Sequence, residues 1–368
     1  MEEDEMVSNM ETNPGASSPT TTKSETPKKI RLKPLNEQVI VITGASSGIG
    51  LVTARAAAKA GAKVVVASRS EEAMRQLESE LSQSGQALGV VCDVSDEAQV
   101  QHLAQRAIER FGGFDTWVNN AGVSIYGTFE EVKCEDMRQL FETNFWGVVH
   151  GSLTAVEHLK SHPTGGAIIN IGSALSERAI PLQGTYTASK FAVRGFTDSL
   201  RMEIEKAGYP ISLTLIKPAA IDTPYTSHAK NYMSDFPENP PPVYAPEVVA
   251  DTILHCATVP ERDMFAGGAG AGFKWMESVM PKTTDKGMEA TMFDIQHSGK
   301  PEEENGSSLY QPSPPMLRER GDYEGSVLQA SPYTVAQMNR DVLSAAAVGA
   351  GLLATTVYFV SRAQSQNR

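Results

Sequence analysis

Short apolar runs alternate with amphipathic stretches along residues 37–270. Gln38–Thr43 is a β-branched run ending at a glycine turn, and Ile49–Ala60 after it has helical apolar spacing. Lys63–Ala67 is the next buried-strand candidate. Glu71–Ser84 then sets Met74, Leu77 and Leu81 on one helical face. The alternation continues through Ala87–Cys92, a helix over Glu97–Phe111, and Thr116–Asn119. Later strands are expected at Ala167–Ile171 and Ile211–Ile216, each preceded by a long helix. Buried strands separated by helices predict a parallel sheet, because each crossover must return to the same end of the sheet and covers a face as it does so. Right-handed crossovers make this a doubly wound, Rossmann-like α/β sheet with helices on both faces, forming a single catalytic domain over residues 36–297. A proline-rich interruption at 237–242 precedes a helix near Pro246–Thr258 and a last short strand at Asp263–Phe265.

The pattern fails at both ends. Residues 1–35 open on an acidic run, pass through Pro, Ser and Thr, and carry a basic cluster at Lys28, Lys29, Arg31 and Lys33. Such a segment buries too little apolar surface to offset its ordering entropy, so a disordered tail is expected. Residues 298–336 are rich in Glu, Ser, Pro and Gly and are expected to be a linker. It leads to an apolar helix over 337–361 and a short tail, 362–368. The 19 residues 342–360 carry no charge. As a helix they would span about 28 Å, close to the ~30 Å hydrocarbon core of a bilayer. Ala345 with Gly349 and Ala347 with Gly351 are spaced for close helix contact. A single C-terminal membrane anchor is therefore expected, the other reading being a helix docked on the catalytic domain or on a second subunit.

Composition narrows the partners. A formal charge of −12 argues against nucleic acid, since nothing here neutralises phosphates in bulk. Three separated cysteines, Cys92, Cys134 and Cys256, offer neither a disulfide framework nor a thiolate metal site. They suit a reducing, cytoplasmic setting for the catalytic domain. No metal site is expected: His158 and His162 are four apart, but no Glu or Cys cluster joins them.

The first strand runs into Gly44, Ala45, Ser46, Ser47, Gly48, Ile49 and Gly50, and then into a helix. Glycines let backbone approach a pyrophosphate, whose charge sits against the N–H groups that open the helix. At the end of the second strand, Ser68 and Arg69 stand where an enzyme for NAD usually carries a carboxylate for the ribose hydroxyls. Arg69 suits a 2′-phosphate and Ser68 removes a repelling charge, so NADP(H) is expected over NAD(H). The plain alternative is a surface arginine at the start of the next helix. Asp93, at the next strand's end, is placed to accept from an adenine amino group, or else to start the following helix with Ser95. Asn119, Asn120, Ala121 and Gly122 end the fourth strand, where small groups line a ribose without crowding it.

Tyr186 and Lys190 are four apart on a helical stretch and share a face. A free phenol near pKa ~10 is a poor base at neutral pH, and a neighbouring ammonium is expected to lower it. Ser173 follows the strand Ala167–Ile171, at the strand end where open α/β sheets hold ligands, and its hydroxyl would sit at the reacting oxygen. Asn144 lies mid-helix, where an amide is unfavourable unless its hydrogen bonds are used. A water relaying protons from Lys190 is the role expected of it.

In these residues the chain resembles the classical short-chain dehydrogenase/reductase family over roughly residues 36–270. The resemblance rests on Thr43 and the three glycines, on Asn119 to Gly122, and on Asn144, Ser173, Tyr186 and Lys190 in that order. It implies a catalytic tetrad of Asn144, Ser173, Tyr186 and Lys190. It implies cofactor contacts from Thr43, Gly44, Ser46, Ser47, Gly48, Ile49 and Gly50. Ser68, Arg69, Asp93, Val94, Asn120, Ala121 and Gly122 are implied for the adenosine side, with Tyr186, Lys190, Pro218, Ile221 and Thr223 near the nicotinamide. The family's glycine after that proline is Ala219 here, which fits unless φ must be positive. Members commonly pack long helices into dimers or tetramers, so a homo-oligomer is expected.

The activity implied is hydride transfer between the nicotinamide and a carbonyl or secondary alcohol, Tyr186 serving as acid/base. Residues 222–242 are expected to cover the substrate. Tyr225, His228, Tyr232, Met233 and Phe236 would favour an apolar ligand, with Ile180 to Gln183 as a second wall. The competing readings are a catalytically silent dinucleotide-binding regulator or scaffold, and an epimerase or dehydratase on the same sheet.

Overall fold

The computed structural model describes residues 30–301 and 306–340. Seven strands form one parallel sheet: β1 (Val39–Thr43), β2 (Lys63–Ser68), β3 (Ala87–Val91), β4 (Thr116–Asn119), β5 (Gly166–Ile171), β6 (Ile211–Pro218) and β7 (Asp263–Ala266). Their order across the sheet is β7-β6-β5-β4-β1-β2-β3. Successive crossovers run outward in one direction from β1 through β2 and β3, then in the other from β4 onward. A crevice therefore opens between the carboxyl ends of β1 and β4.

The doubly wound sheet follows from alternation within each buried strand. Ile40, Ile42, Val64 and Val66 pack beneath α1 (Gly48–Lys59), α2 (Glu71–Leu81) and α7 (Pro246–Cys256). Val39, Val41, Val65 and Ala67 point the other way, beneath α3 (Glu97–Phe111), α5 (Gly147–Leu159) and α6 (Gly184–Ala207). The β4 and β5 ends are joined through buried amides: Asn119 Nδ2 donates to Asn170 Oδ1 at 2.8 Å, and Asn170 Nδ2 to Thr197 Oγ1 at 3.0 Å. Helix α4 (Cys134–Phe141) runs through a π-helical turn, Glu142–Trp146, into α5. Two further helices, α8 (Ala269–Val279) and α9 (Pro281–Thr291), rise over the carboxyl ends of the strands.

The segment expected as a linker is instead built onto the domain. Val327–Leu328 adds a short strand beside Val243–Tyr244, which itself pairs with Ala220–Ile221. Helix α10 (Pro332–Met338) lies against the free edge of β7. There the Phe265 carbonyl accepts from Thr334 Oγ1 and Gln337 Nε2, both at 3.0 Å, and Gly267 N donates to Thr334 Oγ1 at 2.9 Å. Side chains thus take the backbone groups that an edge strand would leave open.

This corrects the expected membrane anchor. Residues 337 and 338, the expected start of the apolar helix, are the last of a seven-residue helix docked on the sheet, and Asn339 departs from helical geometry. Among the described residues no helix is long and apolar enough to cross a membrane. Residues 341–361 of the expected apolar helix and the tail at 362–368 lie outside the described residues, as do residues 1–29, most of the expected N-terminal tail. Pro332–Met338 is thus a cap on the sheet edge. One chain supplies both walls of the crevice, so nothing in the site calls for the expected homo-oligomer.

The edge cap is testable. Thr334→Val combined with Gln337→Leu leaves Phe265 and Gly267 backbone groups buried and unpaired. The pair should lower unfolding free energy by about 2–4 kcal/mol, read as a drop in the urea midpoint. Amide exchange at Gly267 should accelerate in step, and an unchanged midpoint would contradict the capping role.

Candidate active site

The crevice over the β1–β4 switch holds two adjoining clefts. One, of about 1010 Å³, is lined by the glycine turn, Ser68, Arg69, Asp93, Val94 and Asn120. The other, of about 1060 Å³, is lined by Ser173, Tyr186, Lys190, Leu175, Phe273 and Met292. Ile49, Asn120, Gly122, Thr223 and Tyr225 face both.

The glycine turn is a cradle that side chains would fill. Gly48 adopts φ +52°, and a Cβ there would lie 2.9 Å from Thr223 Cβ. A Cβ on Gly50 would lie 2.3 Å from the Gly44 carbonyl. The turn is fixed to β4 by Thr43, whose Oγ1 donates to Val118 O and accepts from the Asn120 and Ala121 amides at 3.1 and 3.2 Å. Asn120 Nδ2 returns the tie, donating to the Thr43 and Gly44 carbonyls. Ser47, at the N-cap of α1, makes no side-chain hydrogen bond to the first turn; Gly48 N donates to Arg318 O, and the amides that follow it suit a phosphate.

Arg69 lines the first cleft just beyond β2. Its Nη2 donates to the Ser308 carbonyl, and its buried Nη1 has no hydrogen-bond partner. Asp93 Oδ2 is 4.0 Å from Nη1. Burial lowers the guanidinium pKa, with Asp93 opposing the effect. Asp93 Oδ1 accepts from the Ser95 amide and hydroxyl in the turn before α3, whose N-cap is Asp96, while Oδ2 faces Arg69. Val94 borders the same space, packed where Gly147 leaves room.

On the chemical side, Ser173 follows β5 and caps the turn Ala174–Ser176, its Oγ accepting from Leu175 N at 3.0 Å. Tyr186 stands half-buried on the first turns of α6, hydrogen-bonded to Ser173 and Tyr225. The Tyr186 and Tyr225 rings meet edge to face at 5.5 Å. Lys190 is buried one turn on, with Nζ 5.6 Å from the Tyr186 ring centre and donating to the Ile171 carbonyl at 2.9 Å.

Burial dominates the electrostatics of these groups. Burial pushes the Tyr186 phenol above its ordinary value, and the hydrogen bonds from Ser173 and Tyr225 only oppose that rise. The Lys190 ammonium is itself pushed down by burial, to about 8, and is aimed at a carbonyl rather than at the phenol oxygen. Asn144 sits in the π-helical turn with its amide spent on the loop after β4: Val123 N donates to Oδ1 at 2.8 Å, and Nδ2 donates to Val123 O and Ser189 Oγ. Its side chain holds that loop in place.

Pro218, Ile221 and Thr223 line the second cleft. Ala219 takes no positive φ, and its methyl is accommodated by Gly267, where a Cβ would come within 2.7 Å of it. Of the expected substrate wall, Ile180, Gln183 and Tyr225 face the cleft. Tyr232 instead packs beside Val132, with its hydroxyl donating to Asp136, while His228 borders the dinucleotide cleft. Phe236 lines a separate, smaller cavity. Phe273 of α8 and Met292 after α9 went unrecognised as walls. Arg178 holds these two helices through Glu277 and Asp285.

Residues 38–233 match the family model described as short chain dehydrogenase. An uncharacterized oxidoreductase of Bacillus subtilis, YxnA, is 46% identical over 328 residues, 89% of this chain and 92% of its own length. That likeness takes in part of the segment after residue 297 as well. A short-chain dehydrogenase/reductase of Burkholderia phymatum in complex with NAD matches with TM-score 0.63 and 26% identity, over 69% of this chain and 97% of its own. An alcohol dehydrogenase of Thermococcus sibiricus complexed with 5-hydroxy-NADP matches with TM-score 0.55 and 27% identity, over 62% and 95%. With the glycine cradle at the β1–β4 switch, these likenesses mark a dinucleotide-binding oxidoreductase fold, and the chain belongs to the short-chain dehydrogenase family.

Proposed function

We propose that the protein is an NADP(H)-dependent oxidoreductase acting on a carbonyl or secondary alcohol of an apolar substrate, with Tyr186 as acid/base. The observation that carries this reading is the meeting of Tyr186, Ser173 and Lys190 in the lining of the second cleft, beside the one that holds the glycine turn.

Arg69 supports the choice of cofactor: its buried, unpartnered Nη1 fits a 2′-phosphate, and Ser68 offers no competing charge. Gly44, Gly48 and Gly50 would admit the pyrophosphate, Asp93 and Val94 would border the adenine, and Ile221 and Thr223 would border the nicotinamide. A bound nicotinamide supplies or accepts the hydride at the substrate carbon. In the reductive direction Tyr186 gives its proton to the substrate oxygen, and Ser173 donates a hydrogen bond to the same oxygen. The resulting phenolate is stabilised by Lys190, and it recovers a proton from solvent. In oxidation the same phenolate takes the proton. The cleft beyond them is walled by Leu175, Ile180, Phe273 and Met292, which favours an apolar body on the substrate.

Tyr186→Phe should lower turnover by roughly 10²–10⁴-fold, the range for general acid/base groups, while NADPH affinity measured by fluorescence stays near wild type. Substantial residual turnover would reject the role. Arg69→Ala should weaken NADPH binding by roughly 10–100-fold through loss of a charge-assisted contact and leave NADH nearly unaffected. Equal weakening of both would sink the cofactor assignment.

Lys190 gives a pH-dependent test. Folding moves its pKa from 10.5 down to about 8, so the fold disfavours its charge. The penalty, roughly 3 kcal/mol at 1.36 kcal/mol per unit, is full below about 8 and fades as pH rises toward 10.5. Lys190→Met should therefore abolish turnover yet raise Tm at pH 7, with its advantage over wild type shrinking as pH rises through that window. A lower Tm, or a difference independent of pH, would contradict the assignment.

A further inference from the structure

The chain after residue 305 returns across the dinucleotide cleft and is fixed on both banks. On one bank, Leu309 is fully buried among Val123, Ile125, Val132 and Leu140, and Tyr310 Oη donates to Asp136 Oδ1 at 2.6 Å. Ser308 N donates to His228 O at 2.8 Å, and the buried Ser308 and Ser313 hydroxyls share a 2.6 Å hydrogen bond. On the other bank the chain pairs with the glycine turn itself: Leu317 N donates to Ser46 O at 2.7 Å, and Gly48 N to Arg318 O at 2.9 Å. Glu319 then pairs with Arg55 at 2.7 Å, and Gly321 N donates to Asp222 Oδ1 at 3.0 Å. Leu317 holds φ +54°, a strained value for a branched side chain that persists only where surrounding contacts fix it. Between the banks, Pro312 and Met316 line the cleft together with Arg69 and Asp93.

We propose that residues 308–321 form the outer wall of the dinucleotide site, contributing Ser308, Pro312 and Met316 to the adenosine half. In this arrangement the dinucleotide enters or leaves only when the wall comes off the glycine turn. The turn cannot yield instead, because Gly48 is pressed against Thr223 and Thr43 and Asn120 tie it to β4. An extended segment held by separate hydrogen bonds, an ion pair and a few apolar contacts opens more readily than the sheet beneath it. Binding then waits on that opening, and release is slow while the wall is seated. The inference rests on the dinucleotide occupying this cleft.

Stopped-flow fluorescence with NADPH, on the full-length protein and on a Leu309→Ala/Tyr310→Phe variant, tests it. For wild type, the observed binding rate should level off as NADPH rises. In the variant that plateau should rise, and release should quicken by about tenfold or more, since affinity changes fall mainly on the off-rate. Equal release rates, in a variant whose Leu317 amide exchanges faster than in wild type, would overturn the proposal. Should the variant not fold, amide exchange on wild type decides: NADPH should slow exchange at Leu317 and Gly321 by about tenfold or more through linkage, and unchanged exchange overturns it. Wild type that binds neither NADPH nor NADH would fail the dinucleotide reading itself, an outcome distinct from unchanged release.

Discussion

The pairing of β1 with β2 on one side and β4 on the other is the constraint that creates the site. Crossovers depart in opposite directions from that pair, so neither crossover covers the gap between their carboxyl ends. Each functional residue is delivered to the rim of that gap by a strand end or the turn after it. The glycine turn leaves β1, Arg69 follows β2, Asp93 follows β3, Asn120 follows β4, Ser173 follows β5 and Pro218 ends β6. Tyr186 and Lys190 come instead from a helix, and α6 packs against the same sheet face as α5, fixing their height above the rim. The buried Asn119–Asn170–Thr197 chain ties β4, β5 and α6 together directly beneath that pair.

Charge and burial compete at the centre of this arrangement. Placing an ammonium near a phenol lowers the phenol's pKa only if the ammonium faces the oxygen and burial does not dominate. Lys190 faces a carbonyl, and both groups lie in a poorly solvated wall, so each is pushed toward its neutral form. In the proposed reading the free enzyme holds a neutral phenol, and a cationic nicotinamide ring beside it would favour the phenolate when oxidation requires a base. The same wall explains the apolar cleft beyond: the low polarity that perturbs Tyr186 and Lys190 comes partly from Leu175, Ile180 and Met292.

Much of this is legible in the sequence, for identifiable reasons. The buried strands read clearly because runs such as Val39–Thr43 are apolar on both faces, which only a doubly covered sheet needs. The glycine turn reads clearly because Gly48 and Gly50 have no room for a Cβ. The segment after residue 297 does not. Its docking relies on backbone bonds to Ser46, Gly48 and Asp222, which any sequence can make, and on isolated anchors such as Leu309. An extended chain anchored at intervals has neither the period of a helix nor that of a strand, and its Pro and Ser content resembles a linker. Helices α8 and α9 escape notice as cleft walls because facing a site depends on tertiary placement, here the Arg178 ties to Glu277 and Asp285. Tyr232 and Phe236 are misassigned for the same reason, aromatic character alone giving no direction.

The most direct test of the acid/base claim is a spectrophotometric titration of tyrosinate, with and without saturating oxidised NADP, on wild type and Tyr186→Phe. One tyrosine should ionise at lower pH when the oxidised dinucleotide binds, a change missing from the phenylalanine variant. Titration curves that superimpose with and without the dinucleotide, or a shift that survives in the variant, would contradict the claim.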